Sequence, residues 1–334
     1  MTLPLAVRVM LWPVSVVYGG IVRCRAWLYA RGWLKQKRLN ATVISVGNLT
    51  VGGTGKTPMV IWLAERFLAE GKRVAILSRG YRGSHGTSDE VELMKHRLQG
   101  RALLGVGADR YAEGRKLQSA GVDVFLLDDG FQHLRLARDM DIVMIDATRP
   151  LRQETLLPAG RLREPVSAVN RADLVLFTRT DHSPGTVWAM QQLPQFAVFP
   201  SVIKLIGFQR IGREREERLM PNQVTGPFYA FCGIGNPEAF FLDLEKWKIP
   251  IVGRRTFRDH HRYSTADVAH LRRLATDSGA KAFVTSEKDA LNLGAIRFDA
   301  IPLYVARIAL ELPDEEEILT LIRTKVHAHS GATA

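Results

Sequence analysis

The sequence predicts an α/β fold: a mostly parallel sheet covered by helices, a smaller second α/β domain, and a basic arm at the N-terminus. Two observations carry the sheet. Apolar runs of strand length recur along the chain, with stretches of helical spacing between them. The runs are also continuous rather than alternating, the pattern of strands buried on both faces. A chain of 334 residues, 46% hydrophobic and 24% charged, can bury such a core.

The arm comes first, over residues 1–40. It holds Arg8, Arg23, Arg25, Arg31, Lys35, Lys37 and Arg38 and no acid, so it carries much of the net charge of +12. Trp12, Tyr18, Trp27, Tyr29 and Trp33 are interleaved with these cations, and such aromatics favour a membrane interface. The apolar run between Arg8 and Arg23 is 14 residues, short of the roughly 20 that span a bilayer, and it contains Pro13. "RCRAWLYAR" follows it where a secretory signal would place a cleavage site. The expected partner is an anionic membrane surface, with the arm lying on it. Nucleic acid is not expected, because basic and aromatic residues are not interleaved in the core domains. Cys24 and Cys232 form no CxxC and imply neither a disulfide scaffold nor a zinc ribbon, which suits a reducing cytoplasm.

Strands are expected at "TVISVGN", "RVAILSRGY", "VDVFLLDDG", "DIVMIDAT" and "ADLVLFTR". "PMVIWLAERFLAEGK" fits a crossover helix stopped by Gly71. These fill a domain over 41–195. An extended linker is expected over 196–225, where "FAVFPSVIKLIGFQRI" gives way to charged and turn-forming residues. A smaller α/β domain over 226–330 takes "PFYAFCGIGNP", "KIPIVGRRTF", "KAFVTSEKDA" and "IPLYVARI" as strands and is expected to contribute to the active site.

"LTVGGTGKTP" lies between the first strand and the first crossover helix. A glycine-rich turn there lets backbone N–H groups converge on phosphate oxygens. A lysine then reaches the β and γ phosphates and a hydroxyl ligates magnesium. Thr50, Val51, Gly52, Gly53, Thr54, Gly55, Lys56 and Thr57 are therefore the expected ATP-binding residues of a P-loop NTPase. Thr50 stands where the strict pattern has glycine. Val51 stands where P-loop switches used in partitioning and targeting carry a second lysine, which weighs against the rival assignment, a membrane-associated ATPase switch.

"VFLLDDG" ends an apolar strand in Asp128 and Asp129, the place for magnesium and water positioning. Phosphoryl transfer also needs a group to take the acceptor's proton. Asp89, Glu90, His133, Asp259, His260 and His261 all qualify by chemistry. No second cluster with ligand spacing joins the adjacent histidines, so zinc is not expected.

The blocks "SVGNLTVGGTGKTP", "SRGYRG", "DDGFQHLRLARD", "LLPAGRLREP", "FCGIGNPEAFF", "FRDHHRYS" and "TSEKDA" resemble, in order, those of the tetraacyldisaccharide 4'-kinases of lipid A biosynthesis. The resemblance implies transfer of the ATP γ-phosphate to the 4'-hydroxyl of a lipid disaccharide 1-phosphate, giving lipid IVA. It implies two domains joined by a two-stranded linker, peripheral attachment to the cytoplasmic face of the bacterial inner membrane, and no obligate protein partner. It implies Asp89, in "SDEV" where the family has "GDEP", as catalytic base, with His260 as its partner and His261 as rival. It implies Asp128 and Asp129 at the magnesium site with Thr57, and Glu164 as an acid near metal and nucleotide. His133 completes "DDGFQH", and Arg163 and Arg110 are arginines that neutralise transferred charge.

Overall fold

The computed structural model describes residues 4–330 except 81–87, 150, 152–153, 183–196, 212–216, 295 and 299. "SRGYRG" and part of the expected linker therefore lie outside the described residues. The chain forms two compact units: Met1–Arg82, Arg97–Val202 and Leu312–Ala334 make unit 1, and Gly83–His96 with Ile203–Glu311 make unit 2. The chain passes from one to the other within the long strand β7, Ala197–Ile211.

Unit 1 is built on β1 (Thr42–Gly47), β2 (Val74–Ser78), β3 (Leu103–Val106), β4 (Val124–Asp128), β5 (Met140–Asp146), β6 (Leu174–Thr178) and the start of β7. Their order is β7-β6-β5-β1-β4-β2-β3, and every pairing is parallel. The central strands are buried throughout, as their unbroken apolar runs require. One core cluster joins Val143, Val175, Phe177 and Phe131; another joins Val43, Leu77, Phe125 and Leu127. The short strand β3 has no counterpart among the sequence expectations, because "LLGV" is too brief and too exposed to stand out.

Helix α1 spans Leu5–Ala30, α2 Lys56–Ala69, α3 Asp89–Leu98 and α4 Arg110–Leu117. β1 lies between β4 and β5, with Val46 of β1 in register with Asp128 of β4. That register brings the turn after β1 and the aspartates at the end of β4 to one edge, at the carboxyl ends of the strands where open α/β sheets bind ligands.

Unit 2 contains β8 (Glu217–Leu219), β9 (Phe228–Cys232), β10 (Ile251–Thr256), β11 (Ala282–Ser286) and β12 (Leu303–Glu311). The order is β10-β9-β11-β12-β7, parallel among β10, β9, β11 and β12, with β8 antiparallel on β7. Helices α5 (Pro237–Lys246), α6 (Thr265–Asp277) and α7 (Glu287–Asn292) connect them. Phe231, Phe283, Phe298 and Tyr263 make an aromatic core on one face.

The units differ from the contiguous boundaries at 40, 195 and 225. The arm is not separate: α1 belongs to unit 1. The segment Gly83–His96 joins unit 2 because Asp89 and Glu90 find their partners there. The last helix, α8 (Glu315–Ser330), returns to unit 1, packing on β5 and pairing Arg323 with Glu70.

Candidate active site

The P-loop begins where β1 ends. Gly47 can only be glycine-sized, since a Cβ there would lie 2.7 Å from the Phe131 backbone nitrogen. Gly52 and Gly55 have φ of 114° and 87°, and Gly55 ends the turn at the start of α2. The first turn of α2 has no acidic side chain, so the helix dipole there favours an anion. Asn48 Nδ2 donates to Thr54 Oγ1 at 2.9 Å, and Thr178 Oγ1 donates to the Thr54 carbonyl at 3.2 Å. Thr50, Thr54 and Thr57 are buried.

"LLPAGRLREP" clasps this loop. Val51 N donates to the Arg161 carbonyl, the Arg161 guanidinium donates back to the Val51 carbonyl at 2.9 Å, and Arg163 N donates to the Leu49 carbonyl at 2.7 Å. The same segment delivers the Arg163 side chain, whose Nη1 lies 2.8 and 2.6 Å from the two oxygens of Asp129. Lys56 Nζ approaches Asp129 Oδ1 at 3.5 Å. Burial pushes the Asp129 carboxyl up, but Lys56 and Arg163 outweigh it and hold it at about 2. Asp129 sits at φ 52°, a left-handed backbone just past the end of β4. Asp128 stays buried and accepts from Ser78 Oγ at 3.3 Å.

Arg110 is buried at the start of α4, close enough to Asp128 and Asp129 to feel both charges, while burial pushes its guanidinium down. Burial and the Arg110 and Arg138 charges bring His133 down to about 4, so it is a neutral imidazole at pH 7. Glu164 is buried and takes a 2.6 Å bond from Arg171, whose guanidinium lies over the Phe131 ring. Among the described residues no three His, Cys, Asp or Glu side chains converge as a metal cluster. Of the expected magnesium residues, Asp129 is paired with Arg163 and Lys56 and Glu164 with Arg171, which leaves the Thr57 hydroxyl at the start of α2 and the Asp128 carboxylate at the end of β4 as the oxygens of the kind magnesium takes beside phosphate and water.

Helix α1 docks on the same segment. Ser15 Oγ donates to the Leu156 carbonyl and accepts from Ala159 N, both at 3.0 Å. Tyr18 Oη donates to the Arg163 carbonyl at 2.8 Å, and Arg25 donates to the Gln132 carbonyl. Removing the Tyr18 hydroxyl in Tyr18→Phe is expected to cost about 1 kcal/mol, read as a lower thermal midpoint with the fold intact.

Unit 2 holds a second group of polar side chains. Asp89 opens α3 and is buried. Its Oδ2 lies 2.8 Å from His260 Nδ1 and accepts from Asn292 Nδ2 at 2.7 Å. Burial pushes the Asp89 carboxyl up, but these two hydrogen bonds outweigh it and leave it below its usual range. His260 is raised, chiefly by the bond to Asp89 and then by Asp259 and Glu90 against its burial. His260 has φ 57°, held by its N–H on the Gly233 carbonyl at 3.0 Å. His261 turns elsewhere, bonding Asp267 at 3.2 Å and stacking on Phe257.

The profile of the tetraacyldisaccharide-1-P 4'-kinase family matches residues 7–327. The chain belongs to this family. Among similar curated proteins is the tetraacyldisaccharide 4'-kinase of Geobacter metallireducens, 38% identical, with 92% of this chain and 95% of that protein covered. That of Geobacter sulfurreducens is 39% identical over 87% of this chain and 85% of its own length. Among solved structures, LpxK from Aquifex aeolicus, an "apo" form in complex with ATP, is 29% identical with a TM-score of 0.73. That match covers 96% of this chain and 99% of the other. Enzymes of this family are kinases of lipid A biosynthesis, and this chain is one of them.

Several residues of this kinase that hold the groups above escaped the sequence reading. Arg161, Lys288 and Asn292 each act through contacts far away in the chain, and Tyr18, expected at a membrane interface, donates instead to the Arg163 carbonyl. Asn292 and Asp89, 203 positions apart, carry no spacing signal at all.

Proposed function

We propose that this kinase transfers the γ-phosphate of ATP to the 4'-hydroxyl of tetraacyldisaccharide 1-phosphate at a membrane surface, with the Asp89–His260 pair receiving the hydroxyl proton. The carrying observation is the glycine-rich turn at the start of α2, with Lys56 and Thr57 in the first turn and Asp128 in register beside β1. The relative solved with ATP supports the choice of nucleotide.

In this scheme the N–H groups of the turn and Lys56 bind the β and γ phosphates. Thr57 and Asp128 would hold magnesium, which neutralises charge between those phosphates when bound. Asp129, ionised by its neighbours, keeps Lys56 and Arg163 oriented. The 4'-oxygen forms the new bond to phosphorus as the bond to the ADP oxygen breaks, and ADP leaves with that electron pair. The hydroxyl proton passes to the Asp89–His260 pair, which starts as carboxylate and neutral imidazole and ends one proton richer. His133, neutral at pH 7, does not serve as the general acid.

Supporting the membrane reading, α1 is long and apolar enough to cross a membrane by length and composition alone. Its Ser15–Gly19 face is buried against unit 1, while Leu5, Val9, Trp12, Val16, Val17 and Ile21 are exposed. A helix docked by one side and bare on the other suits lying in the interface, beside an acceptor whose acyl chains keep it in the bilayer. Replacing Trp12 and Val16 together by Glu leaves the docked face intact. It is expected to shift the protein from vesicles to supernatant in co-sedimentation, and unchanged pelleting would place the anchor elsewhere.

The deciding experiment for the reaction is radiolabelled ATP with the disaccharide 1-phosphate acceptor, the lipid product being expected to gain the label. Label released only as inorganic phosphate would favour an ATPase switch.

A further inference from the structure

Helix α7, Glu287–Asn292, begins with Ser286 as its cap, and its polar side chains reach out to the segments that carry the Asp89–His260 pair. Asp289 is buried and accepts from Gly233 N at 2.7 Å, from Tyr263 Oη at 2.7 Å and from Ser286 Oγ at 2.6 Å. Gly233 in turn accepts the backbone N–H of His260, so Asp289 secures the turn on which the histidine sits. Lys288 pairs with Glu90 at 2.6 Å and thereby holds the first turn of α3. Asn292, the last residue of the helix, donates to Asp89 itself.

An ionised carboxylate only accepts hydrogen bonds, so the Asn292 amide must present its NH₂ to it. That NH₂ and the His260 imidazole meet the same oxygen, Oδ2. Two donors on one oxygen fix the rotation of the carboxylate and direct Oδ1 away from both. They also favour the ionised form over the protonated one. We propose that Asn292 is a positioning residue for phosphoryl transfer, setting the rotation of Asp89 and the readiness of the Asp89–His260 pair to take a proton. This rests on the assignment of that pair as the proton acceptor.

Among the described residues, the charged groups that meet the pair are Glu90 and Asp259, with Asp289 behind it. Glu90 follows Asp89 on α3 and is neutralised by Lys288 from α7. Asp259 lies 3.8 Å from His260 Nε2, and Asp289 stands behind the His260 turn. Asn292 differs from all of these in touching Asp89 without bearing a charge. Its loss therefore changes the pair through one hydrogen bond and leaves the surrounding charges as they are.

The test uses the full-length protein with Asn292→Ala and Asn292→Asp, measuring pH profiles of kcat and kcat/KM with the lipid acceptor. Loss of a hydrogen bond to a charged group is expected to lower kcat about tenfold in Asn292→Ala. It is also expected to raise the acid limb of kcat/KM by about one pH unit, because the pair then binds its proton more tightly. Asn292→Asp adds a negative charge and should raise that limb further. KM for ATP should stay within about twofold in both, which a general loss of structure would not allow.

An Asn292→Ala enzyme with wild-type kcat and an unmoved acid limb overturns the proposal. Should that variant fold poorly by thermal melt, Asn292→Ser serves under the same criteria. Asp89→Asn separates the two levels of the argument. If Asp89→Asn is inactive while Asn292→Ala is wild-type, only the role of Asn292 falls; if Asp89→Asn keeps wild-type turnover, the proton-acceptor assignment falls with it.

Discussion

Lys56→Ala is expected to lower turnover by roughly three orders of magnitude or more, with the thermal midpoint little changed. The lysine stands at the start of α2, where its ammonium adds a full charge to the partial charge of the helix N-terminus. Both stabilise negative charge that moves off the γ-phosphate as the bond to ADP breaks. Lys56→Arg is not expected to restore the rate, because a planar guanidinium does not occupy the place of a compact ammonium inside a turn closed by Gly55. The stability effect is small because Asp129 keeps Arg163 as a partner when Lys56 is lost. Steady-state kinetics with the lipid acceptor and a thermal melt check both halves. Near-normal turnover would remove the glycine-rich turn from the mechanism.

Asp89→Asn is expected to lower kcat by about two to four orders of magnitude, the usual range for a lost general base, with ATP affinity kept. The pH profile gives a second reading. The pair must be short of one proton to accept the hydroxyl's, and His260 is raised above its ordinary 6.5 chiefly by Asp89. The acid limb of kcat/KM is therefore expected above 6.5 as a property of the pair, and to disappear in Asp89→Asn. A limb unchanged by the substitution would exclude the pair.

Stability runs the other way. Asp89, lowered from 3.8, contributes above that value and loses its contribution as pH falls through its folded pKa. His260, raised from 6.5, contributes fully below that value and loses its contribution as pH rises through its folded pKa. The pair is thus most stabilising between about 4 and 6.5, and as the proposed proton acceptor it is expected to react above that window, where part of a favourable contact is given up.

Strands β1, β2, β4, β5 and β6 were legible because each is a continuous apolar run ended by turn chemistry, and burial on both faces leaves no other fate for such a run. Helix α2 was legible for the same kind of reason, through its spacing and the glycine turn before it. The divisions of the chain were not. Asp89 belongs to a unit whose larger segment, Ile203–Glu311, lies more than a hundred positions downstream, and α8 returns to the first unit after the second is complete. Nothing local in sequence records such returns. The arm illustrates the same limit: charge and aromatics told of a surface-seeking helix, but its docking through Ser15, Tyr18 and Gly19 depends on groups near residues 156–163.

The sequence by itself determined the α/β class, the glycine-rich turn between the first strand and helix, the paired aspartates and, through its ordered blocks, the kinase family. These depend on residue type and near-neighbour spacing, which is information the chain carries locally. Only the tertiary structure decided that Asp89 faces His260 and not His261, that Asn292 shares the same oxygen, and that one segment clasps the P-loop while holding α1. Hydrogen bonds reach about 3 Å and depend on direction, so such choices exist only once distant segments have packed.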